Sequence, residues 1–209
     1  MSPLVGIAGV IAAAALTPGP NNLVVLRTAA RAGVRGALPA IAGVVLGSLA
    51  MMTLAMAGAA ALFATAPAAR LALASAGCAY LCWLGARLFV GDRVVGDRAA
   101  AEAGAEPSDQ RLPAGVVGLF AFQFLNPKSW VLVLTATAAA SASLAGLALF
   151  ATMAALLAVI TTTSLLLWAA LGVVVERRWS APAHRRRLDR ALGALLLASA
   201  LLMLVEAWR

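Results

Sequence analysis

Thr17-Pro18-Gly19-Pro20-Asn21 and Asn126-Pro127-Lys128 each interrupt, near its middle, an apolar stretch long enough to cross a bilayer. Two prolines two residues apart cannot sit in an intact helix. Pro18 and Pro20 bring no N–H and crowd the preceding turn, so the carbonyls of Ala14 and Leu16 are expected to lose their helical partners. Pro127 is expected to do the same to the carbonyl of Gln123. In hydrocarbon such groups are tolerated only where protein or a water-filled cavity covers them. Interrupted apolar segments at matching places in two halves point to a transporter's binding site.

Composition agrees with a chain built for lipid. Of its 209 residues 63% are hydrophobic and 11% charged, and the mean hydropathy is +0.96, outside the range of soluble domains. Six apolar segments stand out, at about Leu4–Leu26, Ala37–Phe63, Leu71–Val90, Ala114–Ala138, Leu144–Val175 and Ala191–Trp208. Each is long enough to span. The one sizeable connector, Gly91–Pro113, is rich in charge, Gly and Pro, and reads as a solvated loop. Cys78 and Cys82 share a helix face and read as two small hydrophobes, with neither His nor acid near them in sequence. Met1-Ser2-Pro3 lacks the basic start of a secretory signal, so the first segment is expected to be retained as a span.

The net charge of +8 does not indicate nucleic acid, because the arginines lie between apolar segments without aromatic interleaving. Arg27, Arg31 and Arg35 fall in the first connector, and Arg87, Arg93, Arg98 and Arg111 in the third. Arg177, Arg178, Arg185, Arg186, Arg187 and Arg190 fall in the fifth, whereas only Arg70 and Arg209 lie on the other side. Six spans with the Arg-rich loops cytoplasmic satisfy the positive-inside rule, and both termini then face outward. The expected fold is an all-α membrane protein, one domain over 1–209. Two inverted three-helix repeats, about 4–90 and 114–209, flank the cytoplasmic loop 91–113, with helices 1 and 4 broken at their prolines.

Lys128 is the sole ionisable residue deep within a span. A charge there costs a few kcal/mol even on lenient scales and is ordinarily hidden in the bundle. Helical runs restarting after Pro20 and Pro127 would present unpaired N–H groups, with Asn21, Asn22 and Asn126 as side-chain caps and Pro127 at the first helical position. These ends and the ammonium together suit a carboxylate. Gln123 and the freed carbonyls of Ala14 and Leu16 suit an α-ammonium. The combination describes a zwitterionic amino acid.

Thr17-Pro18-Gly19-Pro20-Asn21-Asn22, the Arg-Gly stretch Arg27–Gly36, and Phe124-Leu125-Asn126-Pro127-Lys128 resemble the lysine exporter / homoserine–threonine exporter (LysE/RhtB) family, and the likeness covers the whole chain. The resemblance implies a bacterial inner-membrane exporter of amino acids, driven by protons, with a homodimer allowed. It places substrate binding at Thr17, Pro18, Gly19, Pro20, Asn21, Asn22, Asn126, Pro127 and Lys128, and Gln123 joins them from the reading of the break. No catalytic residue, metal or cofactor is expected. No acid lies within a span, so a basic substrate would meet Lys128 without a counter-charge, and neutral amino acids or derivatives are favoured. Lys128 is then the simplest proton carrier.

Export of a metal cation is the rival within the superfamily, though anionic ligands are missing from the spans. A membrane scaffold is another, and an intramembrane enzyme would need a nucleophile, base or metal cluster. Gly43-Val44-Val45-Leu46-Gly47 is a close-packing motif, within the bundle or at a dimer face. Thr161-Thr162-Thr163-Ser164 either bonds its own helix or lines a cavity, and Trp130 and Trp168 either line it or pack. Trp179 and Trp208 suit interfacial belts, and His184 a solvated basic end.

Overall fold

The computed structural model describes residues 3–59, 65–90, 115–178 and 181–207. Among these residues the chain is helical throughout, without a strand. Its helices are α1 (Pro3–Leu16), α2 (Pro20–Leu54), α3 (Pro67–Val90), α4 (Val116–Leu125), α5 (Pro127–Ser141), α6 (Gly146–Arg178) and α7 (Pro182–Ala207). A π-helical turn, Ala55–Ala59, closes α2. The expected loop 91–113, with Arg93, Arg98 and Arg111, lies outside the described residues, as do Trp179, Trp208 and Arg209.

Local chemistry sets the helix ends. Thr17 still bonds Ala13 through its N–H, at 3.0 Å. Then Pro18 and Pro20 exclude further α-helical bonds, and the chain passes through Gly19 in extended form before Pro20 opens α2, a proline position that needs no donor. Asn126 separates α4 from α5, which meet at a bend of 74°. Inside α2, Gly33 adopts φ 72 and ψ 175, a region open essentially only to glycine. It divides α2 into limbs 20–32 and 34–54.

Two expected loops are therefore corrected. The Arg27–Gly36 stretch keeps helical geometry on both sides of Gly33, because one glycine suffices to turn the chain. The Arg177–Arg190 stretch is also largely helical: α6 runs to Arg178 and α7 starts at Pro182, so Asp189 sits on a helix. Arg and Leu are good helix formers, and Pro182 begins the run where proline is favoured.

The buried side chains form two apolar clusters. One joins Leu23, Val24, Val25 and Leu26 with Ala37, Ala40, Ile41, Val44, Leu81, Leu84, Leu88, Leu119, Phe122, Leu165, Ala169, Leu192, Leu196 and Ala200. The other joins Ile7, Ile11, Met51, Met52, Trp130, Val133, Leu149, Met153 and Leu157. Each of α2 and α6 contributes to both clusters, one at either end of its length. Glycines permit the closest approaches: a Cβ on Gly43 or Gly47 would strike α4, and one on Gly172 the backbone of Leu26. Gly85 and Gly193 face each other across α3 and α7 in the same way. The Gly43–Gly47 motif thus packs α2 on α4 within the chain.

By length and composition α2 and α6 are each able to cross a membrane, and the bent α4–α5 pair makes a third candidate. Along α6, Leu147, Val159, Leu167, Leu171 and Val174 are exposed. A helix apolar all round belongs in an apolar medium.

Candidate functional site

Between the two clusters lies a layer of polar groups around a cavity of about 60 Å³, where a single water needs roughly 10–15 Å³. Asn21 and Asn22 enter it from the start of α2, Ser48 from the second limb, Gln123, Asn126, Lys128 and Ser129 from the α4–α5 break, and Thr161 and Ser164 from α6. Val44, Leu132, Val133, Leu157 and Leu165 form its apolar walls. Lys128 is the one charged side chain among the described residues of the lining.

As well as Ala14 and Leu16, whose helical partners would be Pro18 and Pro20, the first break bares the carbonyls of Ala15 and Thr17. Asn22 Nδ2 donates to Ala15 O and Thr17 O, at 2.8 and 2.9 Å. Ser164 Oγ adds a bond to Ala15 O at 2.8 Å, and Lys128 Nζ one to Thr17 O at 3.1 Å. Ala15 loses its helical partner because Gly19, which does carry an N–H, is extended and lies outside both helices. At the second break, Asn126 N closes on Gln123 O at 3.1 Å, so the expected free carbonyl there is occupied.

The caps divide similarly. Asn126 is the N-cap of α5, accepting from Lys128 N at 3.2 Å, with Pro127 at the first helical position, as the sequence reading expects. Asn21 and Asn22 do not cap α2, whose N-cap is Gly19 without a side-chain bond. Asn22 reaches back to α1, and Asn21 Nδ2 crosses to Gln123 Oε1 at 2.6 Å. Gln123 Nε2 in turn donates to Ser48 Oγ at 2.6 Å. Gln123, expected to receive an ammonium, thus bonds Asn21 through its oxygen and Ser48 through its nitrogen.

Thr17 turns its hydroxyl to Ala13 O at 2.6 Å and offers the site only its carbonyl. Pro18 is exposed, whereas Gly19 and Pro20 border the cavity. Gly19 lies against Lys128, and a Cβ there would fall 3.0 Å from Nζ. Trp130 and Trp168 both pack: the first donates Nε1–H to Phe124 O at 2.9 Å, and the second lies on the larger apolar cluster. Ser48 and Ser129 are missed by the sequence reading, though Ser48 is the lone hydroxyl in the apolar run 43–52 and could have been noticed.

A second polar cluster ties α2 to α7. Arg27 Nε meets Asp189 Oδ1 at 2.7 Å, and Arg31 Nη2 meets Oδ2 at 3.1 Å. Arg27 is buried, with Glu176 bordering the same small pocket. Among the described residues no three His, Cys, Asp or Glu side chains gather as metal ligands.

Apolar helices that break and bend around a polar chamber define a helical membrane translocator. The chain belongs to the LysE type translocator family, whose model matches residues 12–207. It is 37% identical over 114 residues to a leucine efflux protein of Enterobacter sp. (strain 638), covering 54% of this chain and 52% of that protein. A leucine efflux protein of Klebsiella pneumoniae is 34% identical over a stretch of the same length. A cysteine/O-acetylserine efflux protein of Escherichia coli O139:H28 is 31% identical over 186 residues, 88% of each chain. The chain spans about half the length of these leucine efflux relatives. No solved structure matches it.

Proposed function

We propose that this protein exports small neutral amino acids, or derivatives of them, across the bacterial inner membrane. The observation that carries the reading is the cavity itself: one ammonium, amides, hydroxyls and bared carbonyls beside aliphatic walls, between two apolar cores. Lys128 binds the carboxylate, assisted by the N-terminal end of α5. Thr17, Gly19, Pro20, Asn22, Asn126 and Pro127 shape the chamber around it, and Pro18 enforces the first break. The aliphatic walls take the side chain. A basic substrate would set a second cation near Lys128 with no acid in the lining to offset it. A metal ion would meet the same repulsion. The names of the relatives, leucine and cysteine/O-acetylserine efflux proteins, support this class.

The architecture that serves it is six spans in two inverted repeats, both termini outward and Arg-rich ends cytoplasmic. The α1–α2 break and first limb form span 1, the second limb span 2, and α3 span 3. The α4–α5 pair, α6 and α7 follow as spans 4 to 6. Features recur at near-constant separation along the chain. Pro18 corresponds to Pro127, positive-φ Gly33 to positive-φ Gly146, Ser48 to Thr161, and Gly85 to Gly193. In such folds one repeat rocks against the other around a midplane site. Proton entry drives export, with Lys128 as carrier; a homodimer, where formed, uses a face other than Gly43–Gly47.

The test is efflux of a panel of peptide-fed amino acids from cells expressing the protein. Lys128→Ala should abolish efflux while membrane insertion stays intact. Equal efflux by that variant, or strong preference for lysine or arginine, would overturn the reading. Proton coupling unchanged in Lys128→Gln would remove the lysine as carrier.

A further inference from the structure

The hydrogen bonds from Val44 to Asn21 run in one direction, and that direction leaves one atom unanswered. Val44 O is a carbonyl and can only accept, so Ser48 Oγ, 2.9 Å away, donates to it. Having one proton, Ser48 must then accept from Gln123, which turns the Gln123 nitrogen toward it at 2.6 Å. Gln123 Oε1 is thereby turned to Asn21, which donates through Nδ2, also at 2.6 Å. Asn21 Oδ1 is what remains. It is buried and has no hydrogen-bond partner in the protein, and Asn21 borders the cavity. The opposite order would leave the oxygens of Ser48 and Val44 2.9 Å apart with no proton between them.

A buried acceptor without a donor is costly, so it marks a place where a donor belongs. Two nearby acceptors already have donors within the protein: Ala15 O from Asn22 and Ser164, and Thr17 O from Asn22 and Lys128. Within the amino-acid reading proposed above, on which this inference rests, the donor is the ligand's cationic end. We propose that Asn21 Oδ1 receives the α-ammonium of the transported amino acid, and that Ser48 and Gln123 are positioning residues that hold that oxygen in acceptor orientation. Lys128 and Asn21 then recognise the two charged ends of one zwitterion.

The polarity of the relay makes the assignment testable. The purified protein is placed in proteoliposomes, and counterflow of labelled leucine and O-acetylserine is measured. Leucine competes against 4-methylpentanoate, and O-acetylserine against 3-acetoxypropanoate; each second compound lacks only the ammonium. Wild type should prefer the amino acid by roughly tenfold or more, since the ammonium-free compound leaves Oδ1 unanswered. In Asn21→Ala that ratio should collapse toward one, while competition by 4-methylpentanoate persists and shows that the carboxylate site is intact. Ser48→Ala should lower the ratio by freeing Gln123 to turn. Ser48→Thr, which can still donate to Val44 O, should restore it. A ratio unchanged in Asn21→Ala, or loss of both competitors together, would overturn the assignment of Asn21. A ratio unchanged in Ser48→Ala would overturn the positioning role. If wild type moves neither amino acid, it is the neutral amino-acid reading that fails, a result distinct from these.

Discussion

Gly19 and Lys128 meet across the two breaks: no Cβ separates them, and Lys128 Nζ lies close enough to donate to Thr17 O at 3.1 Å. Residues far apart in sequence share one contact because each break turns its chain toward the same chamber. Gly19 is extended, a conformation any residue adopts, so its smallness matters here through space alone. Gly19→Ala should fold normally, since the atom it meets ends a flexible side chain. Displacing Nζ should weaken substrate affinity by several-fold. Apparent KM in counterflow, alongside a melting temperature lowered by no more than the loss of about 0.5–1 kcal/mol expected for Ala at the N-cap of α2, checks this.

The glycines between helices should respond in the opposite manner. A Cβ at Gly172 would run into the backbone of Leu26 and Ala30, and one at Gly193 into Gly85 and Phe89. Backbone cannot step aside as a lysine tip can. Gly172→Ala and Gly193→Ala should each destabilise by about 1–3 kcal/mol or more, the range of overpacked cores. Thermal unfolding in detergent reads the loss directly. Wild-type stability in both variants would show that these helices have room the structure does not contain.

At Gly33 the obstacle is conformational: nothing lies within 4 Å of a Cβ there, yet φ is 72. Gly33→Ala should cost roughly 1–3 kcal/mol from backbone strain alone. Gly36→Ala is no control, because its Cβ would strike Ala32. Gly115→Ala is a better one, being open and at negative φ; as the N-cap of α4 it should lose only about 0.5–1 kcal/mol in the same melt.

Asp189 answers two guanidiniums, one of them buried. Removing its charge leaves Arg27 without its carboxylate. A fully buried pair broken in this way loses ~3–5 kcal/mol. Asp189 keeps some contact with solvent, so Asp189→Asn should lose less, roughly 1–3 kcal/mol. A double-mutant cycle with Arg27→Gln should show coupling between the two sites. Additive effects would mean that the pair holds nothing together.

Much of the fold was readable along the chain because lipid-facing helices carry their signature locally. The apolar runs, the prolines that end α1 and α4, and the N-cap at Asn126 all depend on residues within one or two turns. Helix at Arg177–Arg190 was missed because charge there was read as a loop signal, and Asp189 stabilises that end through α2, which is distant in sequence. The site was readable as a place, less so as a set of bonds. Ser48, Ser129 and Ser164 look like ordinary hydroxyls in apolar helices until α4 and α1 are brought beside them.

The sequence by itself determined where the helices had to stop, that the one lysine stands beside the second break, and which family the chain resembles. Proline lacks a donor wherever the chain folds, and Lys128 is the one lysine in the sequence. Only the tertiary structure decided which donors answer the carbonyls of Ala15 and Thr17, that Gln123 bonds Asn21 and Ser48, and that Asn21 Oδ1 is left as an open acceptor. Those outcomes depend on which groups meet across helices, and hydrogen-bond direction is settled only when every donor in the chamber has found its acceptor.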